Sequence, residues 1–164
     1  MAKEKAQKTN AMRILDRAKV SYRVNYYECD EFIDGVHIAN QLSQPLDSTF
    51  KTLVATGKSG AYYVFVIPVA ETLDLKKAAK AVGEKSVELL HVKDIRAVTG
   101  YIRGGCTPIG MKKQYPTVLH TSAMRFEEIS LSGGCLGAQI LLAPADLVRV
   151  THALVTDLLM ENGA

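Results

Sequence analysis

A predicted hairpin at residues 50–69 constrains the fold of this chain more than any other stretch. Residues 50–56 are rich in β-branched and aromatic side chains, and a Gly-Lys-Ser-Gly turn separates them from a second such run at residues 61–69. Two runs joined in this way predict a pair of antiparallel strands. The second run is apolar at nearly every position, so both of its faces need covering, and we expect it to be a central strand.

Helices and further strands are predicted on either side of this hairpin. Asn10 is expected to cap a first amphipathic helix, and Asp74 a later one that Gly83 ends. Further predicted strands cover residues 21–28, 87–90, 117–121, 125–131 and 139–143, and further predicted helices cover residues 35–43, 92–99 and 144–160. The fold class is therefore α+β, with a curled, mostly antiparallel mixed sheet of six or seven strands surrounded by helices.

The size and charge of the chain favour one ordinary folded domain. Its 164 residues suffice for a single core, and we expect a flexible basic tail at residues 1–9 and one domain at residues 10–164. The polar N-terminus lacks the apolar segment of a signal peptide, and no apolar run is long enough to span a membrane. A cytoplasmic protein is expected. The net charge of +3 permits an anionic partner without indicating one.

The cysteines and histidines do not follow the spacing of metal ligands. Cys29, Cys106 and Cys135 are scattered, and none of the four histidines stands in a His-x-x-x-His or His-x-Glu pattern. An odd number of cysteines without an export signal favours reduced thiols. We therefore expect no disulfide framework, no metal and no cofactor.

The stretch at residues 101–113 has the composition of a ligand-binding loop. Gly104 and Gly105 let the backbone approach a ligand closely, and Pro108 stiffens the end of the loop. Lys112 and Lys113 add positive charge, so the segment offers backbone amides and cations to an anion. An ordinary tight turn between strands is the alternative, because paired glycines are common in loops.

Two side chains on predicted strands are candidates for a cleft. Alternation places Lys51 on the opposite face from Phe50, where its ammonium could meet a phosphate or a carbonyl oxygen at a cleft rim. Tyr27 likewise points away from the apolar face of its strand. Solvent exposure is the alternative for both. The lysines at 76, 77 and 80 form a basic helix face that either aids solubility or touches a nucleic acid backbone.

Five short motifs, in order along the chain, together resemble the YbaK/EbsC family of free-standing Cys-tRNA(Pro) deacylases. They are Phe50-Lys51-Thr52-Leu53, Leu75-Lys76-Lys77-Ala78-Ala79, Thr99-Gly100-Tyr101, Gly104-Gly105-Cys106-Thr107-Pro108-Ile109-Gly110 and Ser132-Gly133-Gly134. The resemblance covers roughly residues 12–159. It also extends to the editing insertion domain of bacterial prolyl-tRNA synthetases and implies the YbaK/aminoacyl-tRNA synthetase-associated domain fold.

The resemblance implies an enzyme that removes cysteine from Cys-tRNA(Pro), and possible action on Cys-tRNA(Cys) as well. A proline site excludes cysteine poorly, so a second site must correct the error. The implied partners are the tRNA(Pro) acceptor end carrying cysteine and, as a possibility, prolyl-tRNA synthetase. The implied catalytic residues are Lys51, Gly104 and Gly105, with the two glycine amides as oxyanion donors. The implied substrate-binding residues are Tyr27, Phe50, Thr52, Ile102, Thr107, Pro108, Ser132 and Gly133.

The chain has no Gly-x-Ser-x-Gly elbow and no convincing Ser-His-Asp set. The family resemblance therefore favours cleavage in which the substrate thiol attacks its own carbonyl and expels the tRNA, leaving a cyclic thioester. Three alternatives stay open. One is a thiol hydrolase with Cys106 as nucleophile and His120 as base. Another is a tRNA- or synthetase-binding module without catalysis. The third is the same reaction on Ala-tRNA(Pro).

Overall fold

A computed structural model describes residues 8–28 and 34–161 of the chain. Within this part, eight strands and five α-helices alternate. The strands are β1 Tyr22–Tyr26, β2 Phe50–Gly57, β3 Tyr62–Pro68, β4 Val87–Leu89, β5 Thr117–His120, β6 Ile129–Ser132, β7 Ala138–Leu142 and β8 Leu154–Thr156. The helices are α1 Asn10–Arg17, α2 Gly35–Gln41, α3 Leu75–Val82, α4 Ile95–Thr99 and α5 Pro144–Thr151.

The larger sheet has five strands in the order β4-β2-β3-β5-β8. The predicted hairpin is confirmed, since β2 and β3 pair antiparallel with Phe50 opposite Pro68 and Thr56 opposite Tyr62. Strand β3 lies in the middle and pairs parallel with β5, which in turn pairs parallel with β8. The position of β3 follows from its composition, because a strand without a polar face is stable only when neighbours cover it.

The smaller sheet has three antiparallel strands in the order β1-β7-β6. A parallel bridge between Thr49 and Ser130 joins its edge to the beginning of β2. The α+β class and the mostly antiparallel pairing are confirmed. The described residues form eight strands in two sheets, however, where we predicted six or seven strands in one.

The two faces of β3 belong to two separate hydrophobic clusters. Val64 and Val66 pack with Met12 and Leu15 of α1 and with residues of the smaller sheet. Phe65 and Ile67 pack against Ala78 and Ala79 of α3 and against Leu158. All four β3 side chains are fully buried. The strand therefore links the packing of the two sides of the domain.

The C-terminal third differs from the predicted elements in two places. The last helix ends at Thr151 and does not reach residue 160, because His152 adopts a left-handed conformation with φ of 58°. The chain then forms β8 along β5, which the sequence pattern did not predict. The predicted strand at residues 125–131 begins only at Ile129, since residues 121–125 form a 3-10 helix. None of the described helices has the length and apolar composition of a bilayer span.

The first turn of α1 fixes both glycine-rich loops of the domain. Thr9, and not the predicted Asn10, caps the helix by accepting a hydrogen bond from the Met12 amide at 3.2 Å. The Thr9 hydroxyl also donates to the Gly133 carbonyl at 2.5 Å, and the Asn10 amide donates to the Gly110 carbonyl at 2.9 Å. Residues 1–7 of the predicted tail lie outside the described residues.

Replacing Thr9 with alanine should lower the free energy of unfolding. The change removes the helix cap and the hydrogen bond to Gly133, and losing a cap of this type costs about 1 kcal/mol, up to about 2. Thr9→Ser keeps the hydroxyl and should stay near wild type. Urea denaturation of the three proteins checks this, and an unchanged midpoint for Thr9→Ala would contradict the capping role.

Candidate functional site

A cleft of about 340 Å³ opens where the two sheets meet. One wall is the beginning of β2, from Phe50 to Val54, with the apolar side chains of Leu89, Leu90, Val92 and Ile95 beside it. The opposite wall includes Tyr27, Gly104 and Ser132, which come from three separate segments of the chain. Apolar walls with a few polar groups are typical of small-molecule and cofactor sites.

Lys51 brings a positive charge into this cleft. Strand pairing opposite Ile67 fixes its backbone, and the side chain is half-buried. It forms no hydrogen bond or ion pair with any residue that the structure describes. Burial lowers the pKa of the ammonium below its ordinary value, while the negative charges of Asp34 and Glu71 act in the opposite direction. A partly desolvated cation without a fixed partner is suited to bind an anionic or strongly polar ligand.

Thr52 adds a hydroxyl that has no partner at the same wall. Its Oγ1 atom is buried and forms no hydrogen bond within the described part of the chain. Buried hydroxyls are nearly always hydrogen-bonded, so this exception leaves one unsatisfied donor next to Lys51 in the strand that forms the wall.

The first glycine loop presents a backbone turn to the cleft. The Gly105 amide donates to the Ile102 carbonyl at 2.9 Å, which closes a four-residue turn. Gly104 stands at the third position of this turn with φ of 85°, a conformation that other residues adopt only under strain. Gly104 lines the cleft, and its amide donates to no acceptor among the described residues. Its amide is therefore an available backbone donor of this loop.

Gly105 has a different role from the predicted one. Its amide is already used within the turn, so it is not free to donate to an oxyanion in this conformation. A Cβ atom at this position would lie 2.9 Å from the Cα atom of Cys135. Gly105 therefore allows the backbones of the two glycine-rich loops to pack directly against each other.

The second glycine loop supplies Ser132 to the cleft. The Ser132 hydroxyl accepts a hydrogen bond from the Gly134 amide at 3.2 Å, and the Gly133 amide donates to the Ala138 carbonyl at 2.9 Å. Gly133 is buried behind Ser132, where a Cβ atom would approach the Ala138 carbonyl oxygen to 3.2 Å. The loop thus holds one hydroxyl at the wall while its glycines pack behind it.

The structure brings together only part of the predicted site. Tyr27, Phe50, Lys51, Thr52, Gly104 and Ser132 line one cleft. Thr107 and Pro108 are buried beneath the loop, and Ile102 is an exposed residue of the same turn. These three residues, with Gly105 and Gly133, are not part of the cleft lining and belong to the two loops that carry Gly104 and Ser132.

Gln139 is a cleft residue that sequence reasoning missed. It is 4% exposed, and its side-chain amide exchanges two hydrogen bonds with that of Gln44, at 2.6 and 2.9 Å. Gln44 follows α2, which contributes Gly35 and Ile38 to the cleft. The amide pair therefore ties this helix to β7. A glutamine inside an apolar strand was the available signal.

The alternative site built on Cys106 and His120 finds no support in the described residues. Cys106 lines the cleft, but burial raises the pKa of its thiol to about 11, so the thiol stays protonated at neutral pH. His120 lies at the end of β5, outside the cleft lining. Its Nδ1 atom accepts a hydrogen bond from the Leu158 amide at 3.1 Å. No base in the described residues is thus shown to activate the thiol.

Two of the three cysteines fall within the described residues. Cys106 and Cys135 are free thiols, and Cys29 lies outside the described residues. Across residues 8–28 and 34–161, no group of three His, Cys, Asp or Glu side chains is placed to hold a metal ion.

Comparison with known proteins shows which family the chain resembles. A family model of the aminoacyl-tRNA editing domain matches residues 36–150. EbsC of Enterococcus faecalis is 47% identical over 154 residues, which are 93% of this chain and 94% of that protein. Its name carries a suggested Cys-tRNA(Pro)/Cys-tRNA(Cys) deacylase activity.

Two solved structures show the same fold. A suggested trans-editing enzyme for prolyl-tRNA synthetase matches with a TM-score of 0.81 and 24% identity, over 95% of this chain and 100% of that one. A hypothetical protein matches with a TM-score of 0.83 and 21% identity, over 91% of this chain and 98% of that one. The expected YbaK-like fold is confirmed.

The family model covers more than half of the chain, and the Enterococcus faecalis relative covers nearly all of it. The chain therefore belongs to the aminoacyl-tRNA editing domain family, as its motifs indicated.

Proposed function

We propose that this protein is a trans-editing deacylase that removes cysteine from Cys-tRNA(Pro), with Cys-tRNA(Cys) as a second substrate. The observation that carries the proposal is the half-buried Lys51 ammonium, which has no partner among the described residues and shares a cleft with the free Gly104 amide. The 47% identity to EbsC supports the choice of cysteine. The reaction takes place in the cytoplasm, and prolyl-tRNA synthetase is the partner that supplies the mischarged tRNA.

In this proposal, the two polar features of the cleft bind different parts of the acylated 3′ end. Lys51 holds the 3′-terminal nucleotide through a phosphate or ribose oxygen, since a compact ammonium suits a single oxygen. The Gly104 amide donates to the carbonyl oxygen as negative charge develops there, and the Thr52 hydroxyl is a second available donor. Fixed donors of this kind stabilise a transition state without reorganising solvent.

The proposed cleavage uses the substrate thiol as the nucleophile. The thiolate attacks the ester carbonyl of the same cysteine, a C–S bond forms, and the C–O bond to the ribose breaks. The departing ribose oxygen takes up the proton that the thiol gave, and water later opens the cyclic thioester. The protein then contributes orientation and charge stabilisation, which suits a cleft whose own thiol, Cys106, is kept neutral by burial.

A deacylation panel tests the choice of amino acid. We expect Cys-tRNA(Pro) to be cleaved at least about 100-fold faster than Ser-tRNA(Pro) and Ala-tRNA(Pro), because neither of those substrates carries a thiol that can form the intramolecular bond. Rates are measured by loss of labelled amino acid from tRNA, with Pro-tRNA(Pro) and Cys-tRNA(Cys) included. Faster cleavage of Ala-tRNA(Pro) than of Cys-tRNA(Pro) would show that alanine is the preferred amino acid. No cleavage of any substrate would favour a tRNA- or synthetase-binding module without catalysis.

Removing the Lys51 ammonium should abolish most turnover. We expect Lys51→Ala to lower kcat/KM for Cys-tRNA(Pro) by about 100-fold, since misplacing the reacting group by about 1 Å costs this much. Lys85→Ala is the matched control, since Lys85 is an exposed lysine outside the cleft. Equal losses in the two variants, or a Lys51→Ala protein as active as wild type, would remove Lys51 from the mechanism.

Cys106 should be dispensable for the chemical step. We expect Cys106→Ala to keep kcat within about threefold of wild type, because a buried thiol with a raised pKa is a poor nucleophile. Rapid-quench measurement of a single turnover checks this. Loss of activity together with an acyl-enzyme trapped in the wild type would restore Cys106 as the nucleophile.

A further inference from the structure

The distribution of charge along the chain is uneven around the cleft. The chain contains 17 Asp and Glu residues, but none of them falls between Asp94 and Glu127. The same interval contains Arg96, Arg103, Lys112, Lys113 and Arg125. A long interval with positive charges only is not expected from a chain whose net charge is just +3. The interval therefore has the charge pattern of a surface for an anionic partner.

Backbone hydrogen bonds bring the segments that carry these charges together beside the cleft residue Ile95. The Lys112 amide donates to the Thr99 carbonyl at 3.0 Å, and the Lys112 side chain packs over Gly100. The Gly100 amide in turn donates to the Arg96 carbonyl at 2.9 Å. Arg96, Lys112 and Lys113 are exposed, and we call these three residues the basic strip. Arg103 lies where the strip meets the cleft, which it lines.

The basic strip is not neutralised by neighbouring carboxylates. None of its three residues forms an ion pair with the residues that the structure describes. Most other described cations likewise lack an ion pair, and the pairs that do form, such as Arg23 with Glu128 and Lys77 with Asp157, involve residues outside the strip. What distinguishes the strip is its place beside the cleft in an interval without acidic residues, which suits a phosphodiester contact.

Exposed apolar side chains occur in the cleft lining and in the first glycine loop. Val92 is 52% exposed and Leu89 is 47% exposed, and both line the cleft, while Ile102 is 43% exposed and precedes the cleft residue Arg103. Large exposed apolar groups that cluster at a cleft mouth favour contact with a flat, weakly polar surface such as a nucleobase. This arrangement suits a single-stranded nucleic acid end that leaves a duplex and enters the cleft.

We propose that the double-helical acceptor stem of the tRNA lies with its phosphate backbone on the basic strip, and that its unpaired 3′ end passes Ile102 and Val92 into the cleft. This inference rests on the proposed function, because it assigns the surface that receives the body of the same substrate. Phosphate contacts fix the position and register of a nucleic acid without reading its sequence. The strip therefore provides affinity, while the cleft provides the choice of amino acid.

The test compares two triple variants with the same change in net charge. In one, Arg96, Lys112 and Lys113 are replaced by glutamine. In the control, three other exposed cations, Arg17, Lys58 and Lys85, are replaced by glutamine, and none of them lines the cleft. Thermal unfolding of both variants confirms that they are folded before binding is measured.

The first measurement is binding of uncharged tRNA(Pro) as a function of salt concentration, which requires no turnover. We expect the slope of log K against log salt to fall by about 2 to 3 in the strip variant and to change by less than 1 in the control, since each lost phosphate contact removes about one unit. Equal slopes in the two variants would overturn the proposal, because net charge and not location would then govern binding.

The second measurement separates the strip from the cleft. For Cys-tRNA(Pro), the strip variant should raise KM by at least about 10-fold at an unchanged kcat. For a cysteinylated CCA trinucleotide, which lacks the stem, its kinetics should match those of wild type within about twofold. Equal losses of kcat/KM on both substrates would overturn the proposal, because the strip would then affect the reaction itself and not the binding of the stem. If the wild-type protein cleaved neither substrate, the proposed function would be refuted. The salt slopes would still show whether the basic strip binds the tRNA.

Discussion

The cleft depends on a direct contact between two backbones. Gly105 lies so close to Cys135 that a side chain at position 105 would overlap the main chain of the second loop. This contact brings Gly104 and Ser132, which are far apart in the sequence, to the walls of one cleft. Fixed donors are effective only when their spacing does not relax, so backbone packing behind the cleft matters as much as the residues that face it.

The free protein carries an energetic cost in this cleft that a ligand can remove. The Lys51 ammonium is partly desolvated, and the Thr52 hydroxyl lacks a hydrogen bond among the described residues. Both conditions are unfavourable in the absence of substrate. A ligand that binds the ammonium or the hydroxyl would offset part of this cost.

The sequence predicted local features well and long-range ones less completely. Strand alternation and turn residues were enough to predict the hairpin of β2 and β3, and capping residues predicted α3 with Asp74 and Gly83 at its ends. Family motifs identified Lys51, Thr52, Gly104 and Ser132 as neighbours. No local pattern predicted the left-handed conformation of His152 or the strand that follows it. Strand β8 is stabilised by pairing with β5, which depends on tertiary structure. The turn bond of Gly105 and the apolar wall of Leu89 and Val92 likewise depend on tertiary structure.

The paired amides of Gln44 and Gln139 link two positions 95 residues apart. Each side chain satisfies both hydrogen-bonding groups of the other, and Gln139 is almost completely buried. A substitution at either position alone would leave an amide without its partner in a dry environment. During divergence of related chains, these two positions are therefore expected to change together. An apolar pair could replace the two glutamines, but a chain with only one of them replaced would be less stable.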